Sequence, residues 1–138
     1  MQDQLNGILT NLKILAIIVS IISAIVAGIG VINTMLMSVM ERTKEIGTLK
    51  AVGWTSSNVT KMILIESAFI GLLGSLLGLI LGYLLSSLIT AAVGISTIIT
   101  FNLVLQNFLF GFILGIIGGV YPAMVASKLD PIEALRSD

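Results

Sequence analysis

The sequence predicts an all-α integral membrane protein: three transmembrane helices, with a short cytoplasmic amphipathic helix between the first and second. Three observations carry that expectation. Of 138 residues, 57% are hydrophobic and only 10% charged, whereas a soluble domain needs about 25% charged residues to solvate its surface. The charges are bunched, with no Asp, Glu, Lys or Arg among the 27 residues between Lys13 and Glu41 or the 61 between Glu66 and Lys128. The second run as one helix would extend about 90 Å, three times the hydrocarbon thickness, so it folds back at least once.

The elements follow in order. Residues 1–13 are mixed and mildly amphipathic. The first span covers about 14–40 and holds 14 Ile, Leu and Val residues, each favouring insertion by about 0.3–0.6 kcal/mol. Its small residues Ala24, Ala27 and Gly28 suggest a face open to close helix approach. No cleavage site ends the run, which is about twice as long as a signal-peptide core.

From about 41 to 61 the chain turns polar. Glu41–Lys44 and Arg42–Glu45 stand at helical spacing, with Ile46, Leu49 and Val52 as an apolar stripe. This predicts an amphipathic helix over 42–52, with Gly53 just past its end and Thr55, Ser56 or Ser57 capping the next helix. The second span runs over about 65–93 within a helix beginning near 57. Gly71, Gly74, Gly78 and Gly82 recur along it, and Gly111, Gly115 and Gly119 along the third span, at about 102–127. Spacing by four permits backbone-to-backbone packing. A turn falls near 94–97. Pro122 removes one backbone donor and is expected to bend or loosen the last turns. The tail, 128–138, starts a further short helix, with Asp130 as cap, Pro131 in the first helical position and Glu133 completing a capping box.

Orientation follows from Lys and Arg. Arg42, Lys44, Lys50 and Lys61 in the middle loop and Lys128 and Arg136 in the tail stand against Lys13 alone on the other side. The middle loop and C-terminus are therefore expected in the cytoplasm and the N-terminus outside, a parity that three spans satisfy. The residue inventory argues against an enzyme: there is no His or Cys, and no phosphate-binding G-x-x-x-x-G-K-[ST] loop. A net charge of zero offers no nucleic-acid footprint, and no polar stripe lines a pore.

Three stretches together resemble one family: ERTKEIGTLKAVGW at 41–54, IESAFIGLLGSLLGLILGY at 65–83 and GVYPAMVASKLDPIEALR at 119–136. They are similar to the C-terminal membrane region of FtsX-like permeases, the MacB/LolC-type membrane subunits of ABC transporters for macrolide export and lipoprotein release. The likeness covers the chain from about residue 10 onward. It implies that Arg42, Thr43, Lys44, Glu45, Ile46, Gly47, Leu49 and Lys50 form a coupling helix docking onto a cytoplasmic ABC ATPase subunit, with Asp130, Pro131, Glu133 and Arg136 beside that contact. It implies further a homodimer or heterodimer of permeases in the lipid bilayer of the cell membrane. No cofactor is expected in this chain, ATP and Mg being bound by the partner. In that family a first transmembrane helix and a large extracytoplasmic domain precede this region, and residues 1–138 hold neither.

Simpler readings stand beside these. The 41–53 segment can be a solvated juxtamembrane loop, and the glycines can serve packing within the chain or a dimer face. Asn33 is expected to hydrogen-bond between helices, and Glu66 to sit structurally at interface depth. Trp54 is either an interfacial anchor or part of the partner contact. Asn58-Val59-Thr60 matches a glycosylation acceptor, which a cytoplasmic placement makes moot. The rival function is a non-energised accessory or scaffold protein acting through helix–helix contacts.

Overall fold

The computed structural model describes residues 2–94, 99–130, 132 and 134. Four helices account for nearly all of them: α1 (Gln2–Glu41), α2 (Thr43–Ala51), α3 (Ser56–Val93) and α4 (Phe101–Ser127). The helices α1, α3 and α4 are each long and apolar enough to cross a membrane, and α2 is the short helix between the first two. Boundaries expected from the sequence fall within a residue or two, except at the start of α1.

There the helix begins at Gln2 rather than near residue 14 and runs for 40 residues, about 60 Å. Leu5, Ile8, Leu9 and Leu12 continue the 3–4 spacing of the apolar run backwards, and nothing before Lys13 breaks it. Along the helix, Lys13 to Glu41 measures about 42 Å, matching the 40–45 Å of a bilayer with its headgroups.

Three devices shape the connections. Thr43 donates its hydroxyl to the carbonyls of Met40 (2.8 Å) and Val39 (3.2 Å), a back-bond that bends helices. Arg42 accordingly leaves the helical region at φ −103°, ψ 19°, although hydrogen bonding continues across it from Arg42 N–H to Ser38 and Ile46 N–H to Arg42. At the end of α2, Gly53 takes φ 108°. Its N–H reaches the Lys50 carbonyl and the Trp54 N–H the Leu49 carbonyl, the paired bonds of a Schellman stop. Thr55 then caps α3, accepting from Asn58 N–H at 3.3 Å. Gly94 ends α3 in the left-handed region at φ 76°.

The helix α4 is the hub, packing against α3 along most of its length and against α1 over a shorter stretch. Against α3 the contact is backbone on backbone. A Cβ on Gly115 would lie 2.5 Å from the Ser67 carbonyl oxygen and 3.2 Å from the Cα atoms of Ala68 and Gly71. One on Gly71 would strike the Gly111 carbonyl, one on Gly111 the Ser75 hydroxyl, and one on Gly119 the Ser67 side chain. The facing rows are thus Gly111–Gly115–Gly119 on α4 and Ser67–Gly71–Ser75 on α3. Asn107 closes the upper end, its Nδ2 donating to the Ser75 carbonyl at 2.9 Å while Ser75 Oγ donates to the Asn107 carbonyl at 3.3 Å.

Gly74, Gly78 and Gly82 do not pack closely within the described residues: a Cβ on any of them would meet nothing within 4 Å. A row spaced by four that includes Gly71 passes through Ser67 and Ser75, and serine is small enough to serve while its hydroxyl bonds the preceding turn. Asn33 also departs from expectation: it is exposed and makes no interhelical hydrogen bond. Pro122 does not end α4, which runs five residues beyond it to Ser127. Its ring is buried beside Ala123 and Ala126.

Candidate functional site

Side-chain burial concentrates at one end of the bundle, where α2 lies. Met35 and Val39 from α1, Ile46 from α2, Val59 and Ile63 from α3, and Ala123 and Ala126 from α4 form a single cluster, none more than 2% exposed. Elsewhere the Leu, Ile and Phe side chains of the spans face outward, as expected where lipid is the solvent. All four helices are therefore tied together at this end.

Polar contacts reinforce the tie. Arg42 Nη1 lies 2.8 Å from Glu66 Oε1 on α3, and its Nε lies 3.6 Å from Glu45 Oε2. Both partners in the first pair are about a third exposed, so the pair contributes at most about 1 kcal/mol. It links the α1–α2 junction to α3. At the other end of α2, Lys50 turns inward. Its Nζ donates to the carbonyls of Ser127 (2.9 Å) and Leu129 (2.5 Å), while Ser56 Oγ donates to Ser127 as well, at 2.9 Å. The Ser127 carbonyl is one of the acceptors that the helix leaves open at the negative end of α4, and that of Leu129 lies two residues past it. A cation there contributes about 0.3–1 kcal/mol, rising to about 2 kcal/mol where partly buried. Past Leu129, Asp130 Oδ1 accepts from the Ile132 N–H at 2.8 Å and its carbonyl from Ala134 N–H at 2.9 Å.

What remains outward on α2 is one face. Lys44, Glu45 and Thr48 are all exposed, as is Glu41 at the end of α1, and Val52 and Trp54 extend the patch past the helix end at 80% and 38% exposure. It carries both charge signs on a backbone held at both ends.

A model described as FtsX-like permease C-terminal matches residues 17–131, most of the chain. The chain belongs to this FtsX-like family. It is 59% identical over 138 residues to an uncharacterized ABC transporter permease of Methanocaldococcus jannaschii, covering 99% of this chain and 38% of that protein. It is 44% identical over 135 residues to the macrolide export ATP-binding/permease protein MacB of Bdellovibrio bacteriovorus, covering 98% of this chain and 21% of that one. It is also 44% identical over 115 residues to the ABC transporter permease YknZ of Bacillus subtilis, covering 83% and 29% respectively. The chain thus spans well under half the length of these relatives. Family membership and the three apolar helices make it a multi-pass membrane protein.

Within this FtsX-like fold, the residues assigned from sequence to a partner contact divide. Lys44 and Glu45 face outward. Arg42, Thr43 and Lys50 are engaged within the chain, and Leu49 is half-buried. Ile46 and Gly47 are buried, which removes Ile46 from any docking stripe: it is 1% exposed. Four helix ends must bury something where they converge, and Ile46 supplies it. Val52, assigned to the same stripe, points the other way. The Arg42–Glu45 pair forms, whereas Glu41 and Lys44 are not paired. Pro131, Glu133 and Arg136 lie outside the described residues.

Sequence reasoning passed over three features. Thr48 joins Lys44 and Glu41 at helical spacing, which was visible. Glu66 as the acceptor for Arg42, 24 residues away, and the α4 terminus as the acceptor for Lys50 were not, since no local pattern encodes them. Among the described residues no group of three His, Cys, Asp or Glu side chains could hold a metal.

Proposed function

We propose that the chain is the membrane-spanning permease part of an ABC transporter, coupling ATP hydrolysis by a cytoplasmic ATPase to movement of its helices. The observation that carries this is the outward face of α2: two charge signs and an open end at Trp54, on a helix fixed to the bundle at Arg42 and Lys50. Such a face suits recognition by a soluble protein, with charges setting register. Support comes also from the relatives, one named as an ATP-binding/permease protein.

On this reading, α2 and the tail lie in the cytoplasm and the start of α1 outside, as the Lys and Arg distribution favours. ATP and magnesium are bound by the ATPase, and this chain performs no chemistry. Closure of the ATPase displaces α2, and the displacement passes to the spans. The apolar character of those spans favours a mechanical output for export, lipoprotein release or mechanotransmission over a polar pathway. A second permease copy, identical or related, packs on the exposed glycine-bearing faces.

Glu45→Arg tests the docking face, because its side chain is 73% exposed and the substitution spares the buried cluster. Reversal of a charge against a complementary surface costs a few kcal/mol, or about 10–100-fold in Kd. Co-purification in detergent with the ABC ATPase of the same source should fall accordingly. Undiminished co-purification would remove α2 as the docking helix. Failure of the unaltered chain to bind any such ATPase would favour the scaffold reading.

A further inference from the structure

We propose that Lys50 is a positioning residue that joins α2 to the last turn of α4, so that a load on the outward face of α2 enters the membrane through α4. This rests on the reading of α2 as the ATPase-docking helix.

The argument begins with where the ammonium points. A lysine serving a soluble partner directs its charge outward, as Lys44 does six residues earlier. Lys50 instead is half-buried, and its Nζ is committed to the carbonyls of Ser127 and Leu129 at 2.9 and 2.5 Å. Ser56, at the start of α3, shares the Ser127 carbonyl at 2.9 Å. The end of α4 is thus gripped from two neighbouring elements by three directional bonds. Ile46 packs into the same region, but apolar contacts resist sliding poorly because they have no preferred direction, whereas hydrogen bonds weaken steeply once bent.

The second step is what α4 touches. Of the three spans, it packs most extensively against the other two, which meet each other only at the buried cluster near α2. Against α3 the Gly111–Gly115–Gly119 row leaves no slack. Against α1 the close approach is at Gly118, where a Cβ would lie 2.8 Å from a Val31 methyl. Between that point and the gripped end sits Pro122, which has no N–H to offer the Gly118 carbonyl. The helical ladder lacks one bond there. The segment beyond Pro122 is therefore the piece that moves with α2, and Gly118–Pro122 is where α4 flexes against α1.

The test uses the chain reconstituted in nanodiscs with the ABC ATPase of its own source. Spin labels go at Ser20 on α1 and Leu109 on α4, both exposed and on the far side of Gly118. Distances are measured without nucleotide and with ATP plus vanadate. Lys50→Met is expected to bind the ATPase with unchanged affinity and to lose half or more of the nucleotide-driven distance shift. Lys50→Arg, which keeps a cation at the helix end, is expected to restore it. Rescue separates positioning from a general loss of packing. A full shift in Lys50→Met overturns the proposal, and so does loss of ATPase binding by that variant alone, which would put Lys50 on the docking surface. Should Lys50→Met fail to insert, Ser56→Ala removes one of the three bonds more gently, and an undiminished shift there overturns the proposal equally. Failure of the unaltered chain to bind the ATPase refutes the underlying function itself.

Discussion

Adding one methyl group to Gly115 is expected to destabilise the α3–α4 hairpin, whereas adding the same group to Gly74 is not. On Gly115 the new Cβ would stand 2.5 Å from the Ser67 carbonyl oxygen and 3.2 Å from two backbone Cα atoms. Ordinary contact begins at 3.4 Å, so α3 and α4 must part by about 0.9 Å along that line. Every obstructing atom is backbone, so no side chain can swing away. Overpacking of this kind costs about 1–3 kcal/mol, against a gain of about 0.5–1 kcal/mol from replacing a helical glycine with alanine. The net expectation is a loss of up to about 2.5 kcal/mol, centred near 1 kcal/mol. At Gly74 nothing lies within 4 Å, so only the propensity gain applies and the sign reverses. Unfolding of the two single variants in mixed detergent micelles by increasing SDS, followed by helical circular dichroism, compares them directly. Equal midpoints, or a Gly115→Ala variant more stable than Gly74→Ala, would refute the packing argument. The separation would also weaken the 2.9 Å bond from Asn107 to the Ser75 carbonyl, since the two rows are continuous.

Two further predictions concern α2. Ile46→Ala removes a side chain only 1% exposed from the four-helix cluster and is expected to cost about 2–5 kcal/mol; the same SDS titration would show it, while Glu45→Arg leaves that midpoint unchanged. Gly53→Ala places a side chain at φ 108°, a conformation that only glycine adopts readily. It should release the Schellman bonds and raise hydrogen exchange at the Gly53 and Trp54 amides, with amides in the middle of α3 unaffected.

The fold class was legible because its cause is compositional. Runs of 27 and 61 residues without a charge cannot remain in water, and backbone groups in lipid must bond within a helix. The stops were legible for the same local reasons: Gly53 and Gly94 adopt positive φ, and Thr55 caps α3. The glycine rows were half legible. Spacing by four identifies a row able to pack, but it cannot say which neighbour is present, so Gly111, Gly115 and Gly119 press on α3 while a Cβ on Gly74, Gly78 or Gly82 would meet nothing within 4 Å among the described residues.

The outward face of α2 shows the same division. By itself the sequence determined that a short amphipathic helix with both charge signs follows the first span, because spacing of three and four places residues on faces regardless of what surrounds them. Only tertiary structure decided which face was free. Ile46, Leu49 and Val52 read as one stripe, yet convergence of four helix ends buries Ile46 while Val52 remains 80% exposed. Likewise Lys50 reads as a solvated cation until the end of α4, 77 residues further along the chain, brings two unsatisfied carbonyls to it. Periodicity is a property of one helix; burial and charge pairing belong to whichever helix arrives beside it.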